Sequence, residues 1–332
     1  MPKEITHWTL AALLAKELPM DSLFYDPIQA FPNLFFLGAV APDIPFYHLA
    51  GPKTSFIQTL GAPLHGYDAR SLVPVLALLD QNPAREPSAL AFAAGVICHL
   101  LADTIFHPLV YYFSGKEGIH AGATARHRQF ETALDLHLSF LYRPKVSLAR
   151  VVRNLEVPRK SVTGFLASLF QSPREQASLD AALNFHLILQ ALFRSPLMYQ
   201  VFGFLSRKTP WVPDKVTGLI YPCRRPGSLP FFSQKLHYQD PITGALFSTR
   251  IQNLMKETIL AAKIVLALLS TALVQGGPAT GVLDDPHLPR IRPDLPKEGF
   301  FFWQGKRHLE PDLYRGLDLK CLPIRNRRSH DG

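Results

Sequence analysis

The sequence predicts an all-α protein: one multi-helix domain over residues 1–275, followed by an irregular, proline-rich extended tail over 276–332. Three observations predict it. Apolar stretches of helical length dominate and strand signals are sparse. Hydrophobic residues make up 47% of the 332, which suits a chain long enough to bury a large core without covalent staples. After Gly276 the helical texture stops and prolines recur.

Element boundaries follow from periodicity and from proline and glycine punctuation. The first amphipathic helix is expected over 6–18, then helices over 28–38 and 66–80. A long apolar helix follows over 88–107. Pro108 should end or kink it, because proline disfavours α conformation in the residue before it. Further helices are expected over 123–142, 147–154, 161–170, 176–194 and 196–205. The turn Asp240-Pro241-Ile242-Thr243-Gly244 leads into the last long helix, over 249–273. The stretches 42–45, 51–52, 61–63, 83–87 and 222–230 read as loops. No internal repeat is present.

Composition excludes several classes. The apolar content excludes a mainly disordered chain. Cys98, Cys223 and Cys321 are odd in number and far apart, so neither a disulfide scaffold nor a thiolate zinc site is supported. The net charge of +9 favours anionic partners without choosing between phospholipid headgroups and nucleic acid. The N-terminal apolar run is interrupted by Lys16, unlike a secretory signal. The apolar run over 91–113 carries His99, Asp103 and His107. The one over 259–274 carries Lys263 and is short for a membrane span. The expectation is a cytoplasmic protein with no transmembrane segment.

The chemistry concentrates in AFAAGVICHLLADTIFHPLVYYF. His99, Asp103 and His107 stand at i, i+4 and i+8. Each step of four drifts about 40° round a helix, so the three side chains share an arc of roughly 80°. Every other face of this helix is apolar, and burying an unpaired aspartate is costly. The stripe is therefore either a satisfied polar network or a metal site. A second stripe, His127, Glu131 and Asp135, lies in RHRQFETALDLHL. Two facing helices with such stripes offer mixed nitrogen and oxygen donors, which suit zinc better than calcium or magnesium. This places a metal site between core helices. His7 beside Trp8, Asp43 between the prolines of FLGAVAPDIPFY, and His65 in APLHGYD extend the donor set to enough for two or three ions.

In the order His7, Asp43, His65, His99-x3-Asp103, His107, His127-x3-Glu131, the chain resembles the bacterial zinc-dependent phospholipase C family. That superfamily also contains the single-strand-specific zinc nucleases. MPKEITHW, GAVAPDI and GVICHLLADTIFHP are similar to its signal-less bacterial members. The resemblance covers roughly residues 1–140 by motif and is weaker over 141–275. It implies one zinc held by Asp43, His65, His99 and Asp103, and a second by His107, His127 and Glu131. A third would take His7, with Asp103 as bridge. The spacing around His107 departs from the family's pattern, which leaves His120 as an alternative ligand. Secreted members open on a tryptophan that ligates the third zinc, whereas Trp8 here follows the histidine.

The implied function is zinc-dependent hydrolysis of a phosphodiester, with Asp43 or Glu131 as proton acceptor and no organic cofactor. A phospholipid headgroup is the first expectation for substrate. A nuclease on the same scaffold, less expected, and a non-catalytic metal-stabilised binding protein are the alternatives. Tyr67, Tyr111, Tyr112 and Phe113 lie near the motifs and would serve lipid or base. The tail segment GFFFWQGKRHLE admits two readings, packing on the helical body or peripheral membrane contact.

Overall fold

The structure is a computed structural model that describes residues 3–82, 86–116, 119, 122–208, 218–222 and 229–294. His120, Cys223, Cys321 and the segment GFFFWQGKRHLE lie outside the described residues.

The helices in chain order are α1 (Glu4–Glu17), α2 (Tyr25–Ala30), α3 (Pro32–Gly38), α4 (Thr54–Thr59), α5 (Val73–Asp80), α6 (Pro87–Ser114), α7 (Ala123–Tyr142), α8 (Leu148–Arg153), α9 (Arg159–Leu169), α10 (Gln176–Phe193), α11 (Pro196–Lys208), α12 (Pro230–Ser233) and α13 (Ile251–Val274). Helix α6 is the hub: α1, α2, α3, α5, α7 and α13 all pack on it. That position explains its sequence, since a helix enclosed on all sides carries no polar stripe except where function needs one. Helices α9 and α10 form an outer layer against α5 and the Asp43 segment.

Helix α3 crosses α6 at close range, and two glycines make it possible. A Cβ at Gly38 would lie 2.2 Å from the Phe92 carbonyl oxygen, and one at Gly95 would lie 2.1 Å from that of Phe35. Without side chains at these points the backbones approach directly, which brings the end of α3 over His99.

Most predicted helices are present; the departures have local causes. The expected 28–38 helix is two helices, broken at Phe31, whose φ of −127° and ψ of 54° avoid the α region ahead of Pro32. The expected 66–80 helix opens with a 3-10 turn, Ala69–Leu72, in which the Asp68 side chain accepts from the Arg70 N–H. The loop expected over 42–45 is a 3-10 helix, Ala41–Tyr47. Pro108 does not end α6: the helix runs on to Ser114 and stops at Gly115 with φ 78°. Proline removes one N–H from the ladder, but packing on the hub's surroundings holds the helix through it.

One element was not foreseen. Strands β1 (Leu236–Gln239) and β2 (Leu246–Thr249) pair antiparallel, with Leu236 opposite Thr249. The turn 240–244 closes this hairpin before α13 begins, and Asp240 caps it by accepting from the Ile242 and Thr243 N–H groups.

Among the described residues two helices, α6 and α13, are long and apolar enough to cross a membrane by length and composition. Helix α6 is mostly buried in the core. Helix α13 buries Ile251, Leu254, Met255, Thr258, Ile259, Ala262, Val265, Leu266, Leu269 and Leu273, a single stripe at helical spacing, and exposes Lys256 and Glu257. The described part of the tail packs on the body. Its 3-10 segment Ala279–Asp284 is held by Asp80, which accepts from the Ala279 and Thr280 N–H groups, and Ile291 is buried in the core.

Candidate metal centre

Five elements bring the predicted donors together. Helix α1 supplies His7, the 3-10 segment Ala41–Tyr47 supplies Asp43, and a second one, Ala62–His65, supplies His65. Helix α6 supplies His99, Asp103 and His107, and α7 supplies His127 and Glu131. Their donor atoms form three groups, each within 4.8 Å, the first two sharing His99: His7, Asp43 and His99; His65, His99 and Asp103; His107, His127 and Glu131.

Asp103 lies at the centre. Its Oδ2 faces His99 Nε2 at 3.3 Å and His65 Nε2 at 3.7 Å. Its Oδ1 faces His7 Nε2 at 3.6 Å and His107 Nε2 at 3.9 Å. Asp43 Oδ1 lies 3.2 Å from His65 Nε2 and 3.7 Å from His99 Nε2, and His127 Nε2 lies 2.8 Å from Glu131 Oε1. The His7 and His99 rings stack with centroids 3.9 Å apart.

The donors fit zinc on three grounds. First, five of these seven spacings, 3.2–3.7 Å, lie within about 0.1 Å of those a shared ion sets, since two ligands at about 2.0–2.2 Å on a tetrahedral zinc stand about 3.3–3.6 Å apart. Second, the inward atoms of Asp43, His65, His99, Asp103 and His107 are buried yet make no hydrogen bond, as do both ring nitrogens of His7. Buried polar atoms are normally satisfied, so a converging set of orphans is unexplained without a ligand. Third, the other face of the rings is already engaged. His65 Nδ1 donates to the Gly61 carbonyl at 2.9 Å, His99 Nδ1 to that of Ala39 at 2.9 Å, and His107 Nδ1 to that of Pro293. A carbonyl only accepts, so each Nδ1 carries the proton and each neutral ring presents the lone pair of its Nε2 to the centre, the usual orienting device for metal-binding histidines.

Electrostatics points the same way. Burial pushes His7 and His107 well below the ordinary imidazole range and lowers His127. His99 moves the opposite way: burial opposes its charge, but the carboxylates of Asp103 and Asp43 outweigh that. Burial also opposes ionisation of Asp43 and Glu131, yet the facing imidazoles of His99 and His65, and of His127, hold them below the ordinary carboxylate range. Neutral His7, His107 and His127 beside ionised Asp43 and Glu131 are the forms that bind a metal.

Asp135, the last member of the second stripe, is not in the cluster. It accepts from the Thr6 N–H at 2.8 Å, the Thr6 hydroxyl at 2.5 Å, the Ile5 N–H at 3.2 Å and the Tyr221 hydroxyl at 2.7 Å. The residue before α1, Lys3, makes no side-chain cap, so Asp135 caps the helix from across the core, directly beside His7. Trp8 is wholly buried and its indole donates to the Phe36 carbonyl at 3.0 Å. His186 and Glu4 pair at 2.9 Å in a separate buried cluster with Gln190.

Of the aromatic residues near the motifs, Tyr111 borders the donors, its ring 5.2 Å from that of His107 and 5.1 Å from that of His127. Tyr67 is exposed, Tyr112 is half-buried, and Phe113 packs on Phe130 in the core. Lys116 and Asp294, which meet Tyr111 at the rim, were not foreseen, and neither were the three orienting carbonyls. Backbone acceptors leave no mark in a sequence.

Compared with known proteins, the chain matches the model of the zinc dependent phospholipase C family over residues 6–167, a span that includes all eight donors. No curated protein and no solved structure gives a significant match.

Proposed function

Because residues 6–167 belong to the zinc-dependent phospholipase C family, we propose that this protein is a zinc-dependent phosphodiester hydrolase acting on phospholipid headgroups. The observation that supports it most directly is the convergence of buried, hydrogen-bond-free donors on both oxygens of Asp103. In this reading Asp43, His65, His99 and Asp103 hold one ion, and His107, His127 and Glu131 a second. His7 shares a third with Asp103. Clustered zinc, when bound, lowers the pKa of water towards about 7 and stabilises anionic phosphoryl oxygens.

The chain's own residues then have distinct tasks. Asp103 sets the spacing between the two halves of the donor set. The carbonyls of Gly61, Ala39 and Pro293 keep the three imidazoles in the tautomer that faces the centre. Asp43 or Glu131 accepts the proton that hydrolysis releases. The net charge of +9 favours an anionic surface or substrate, and Tyr111 offers an apolar ring beside the donors.

The test offers short-chain phosphatidylcholine, other phosphodiesters and single-stranded nucleic acid to one zinc-loaded preparation. Release of phosphorylated headgroup is expected, with loss by orders of magnitude in His99→Ala and on chelation. Cleavage of nucleic acid alone would move the activity to a nuclease. No turnover on any substrate, with zinc bound, would favour a binding protein.

A further inference from the structure

Residues 291–294 reach the donor cluster from far outside the family-matched span. The Pro293 carbonyl accepts from His107 Nδ1. Every other residue around it is tied to something else in or beside the site. The Arg292 N–H donates to Thr104 Oγ1 at 2.9 Å, one residue after Asp103. The Asp294 N–H donates to the Gly66 carbonyl at 2.9 Å, one residue after His65. Asp294 Oδ1 accepts from the Tyr111 hydroxyl at 2.6 Å and from Lys116 Nζ at 2.5 Å. Behind these contacts the Arg292 guanidinium pairs with Asp240 at 2.7 Å, and both side chains are more than nine-tenths buried. Ile291 anchors the segment in the core.

We propose that residues 291–294 form a strap that positions His107, so that the His107–His127–Glu131 half of the centre is completed by the C-terminal part of the chain. The inference rests on the zinc-site reading above. His65 and His99 are oriented by carbonyls four residues away or on the neighbouring α3 end, both inside the matched span. His107 alone among these three takes its orienting carbonyl from a distant segment. Its imidazole lies in the last third of α6, and its Nδ1 donates to the Pro293 carbonyl rather than to one of the helix's own. Asp294 then locks the strap's far end to Tyr111, four residues on from His107 in α6, and to Lys116, just past the end of that helix.

The test measures zinc binding, not only turnover. Competition with a chromophoric chelator gives the affinity of each ion in the wild type, in Asp294→Ala and in Asp294→Ala combined with Thr104→Val. The second change keeps the side-chain shape and removes the acceptor for the Arg292 N–H. The expected result is one ion weakened by about 10–100-fold, the range seen when an orienting partner is lost, with the remaining ions unchanged. His107→Ala, which removes the ligand itself, should abolish that same ion. If the double variant does not fold, Asp294→Asn, which keeps the shape and drops the charge, should weaken the same ion to a smaller extent. Wild-type affinity at every ion, or equal weakening of all of them, would overturn the strap while leaving the hydrolase reading intact. A wild-type protein that binds no zinc would overturn both.

Discussion

Replacing Gly95 with alanine probes the crossing that sets the depth of the centre. A Cβ at this position would lie 2.1 Å from the Phe35 carbonyl oxygen, 2.7 Å from the Ala39 nitrogen and 2.9 Å from the Gly38 carbonyl carbon, where side-chain carbons essentially never come under 3.0 Å. All three atoms are backbone, so nothing can swing aside and α3 must move off α6 by roughly 1 Å, an overpacking that costs about 1–3 kcal/mol. Alanine returns about 0.5–1 kcal/mol of helix preference over glycine. Three contacts at once put the strain at the upper end, which leaves a net loss of about 2 kcal/mol. For a chain of 332 residues that corresponds to a fall in Tm of about 3 °C. The same shift moves the Ala39 carbonyl, which holds His99 Nδ1 at 2.9 Å, so zinc content should fall as well. The control is Gly164→Ala in α9, where a Cβ meets nothing within 4 Å; it should stabilise by up to about 1 kcal/mol. Thermal melts followed by circular dichroism, with metal analysis of the same samples, make the comparison. A Gly95→Ala protein that melts with or above the wild type and keeps its zinc would refute the reasoning.

Three further outcomes are expected. Asp103→Asn should lower zinc per chain more than any other single ligand change, because both of its oxygens face histidines from different groups; metal analysis of protein purified without chelator checks it. Asp135→Ala leaves the buried Ile5 N–H and the Tyr221 hydroxyl without this acceptor, at about 1–3 kcal/mol each, and the Thr6 N–H with the Lys3 carbonyl, so denaturant midpoints should drop sharply and α1 should fray first by hydrogen exchange. The Cys98 thiol is pushed up to about 12 by burial, so it should resist alkylation at pH 8 until the protein unfolds, which mass spectrometry of the labelled peptide reads directly.

Much of this protein was legible in one dimension. The stripes His99–Asp103–His107 and His127–Glu131 are local facts of helical geometry: four residues make little more than a turn, so spacing alone puts the side chains on one face. The apolar surroundings of Asp103 announced its burial, and burial of a carboxylate demands a partner. His7, Asp43 and His65 were readable as donors in their local motifs, and the structure places all three in the cluster.

What tertiary structure decided are the relations that span the chain. Asp135 continues the second stripe by spacing, yet it turns from the centre to cap α1, because the N–H groups of the helix start lie within its reach. Pro108 carries a strong local preference against helix, and the packing around α6 outweighs it. The hairpin before α13 was hidden behind its own turn. Most of all, His107 takes its orientation from the Pro293 carbonyl. A backbone oxygen is the same in every residue, so only the fold, by bringing the far end of the chain back across α6, could assign it that partner.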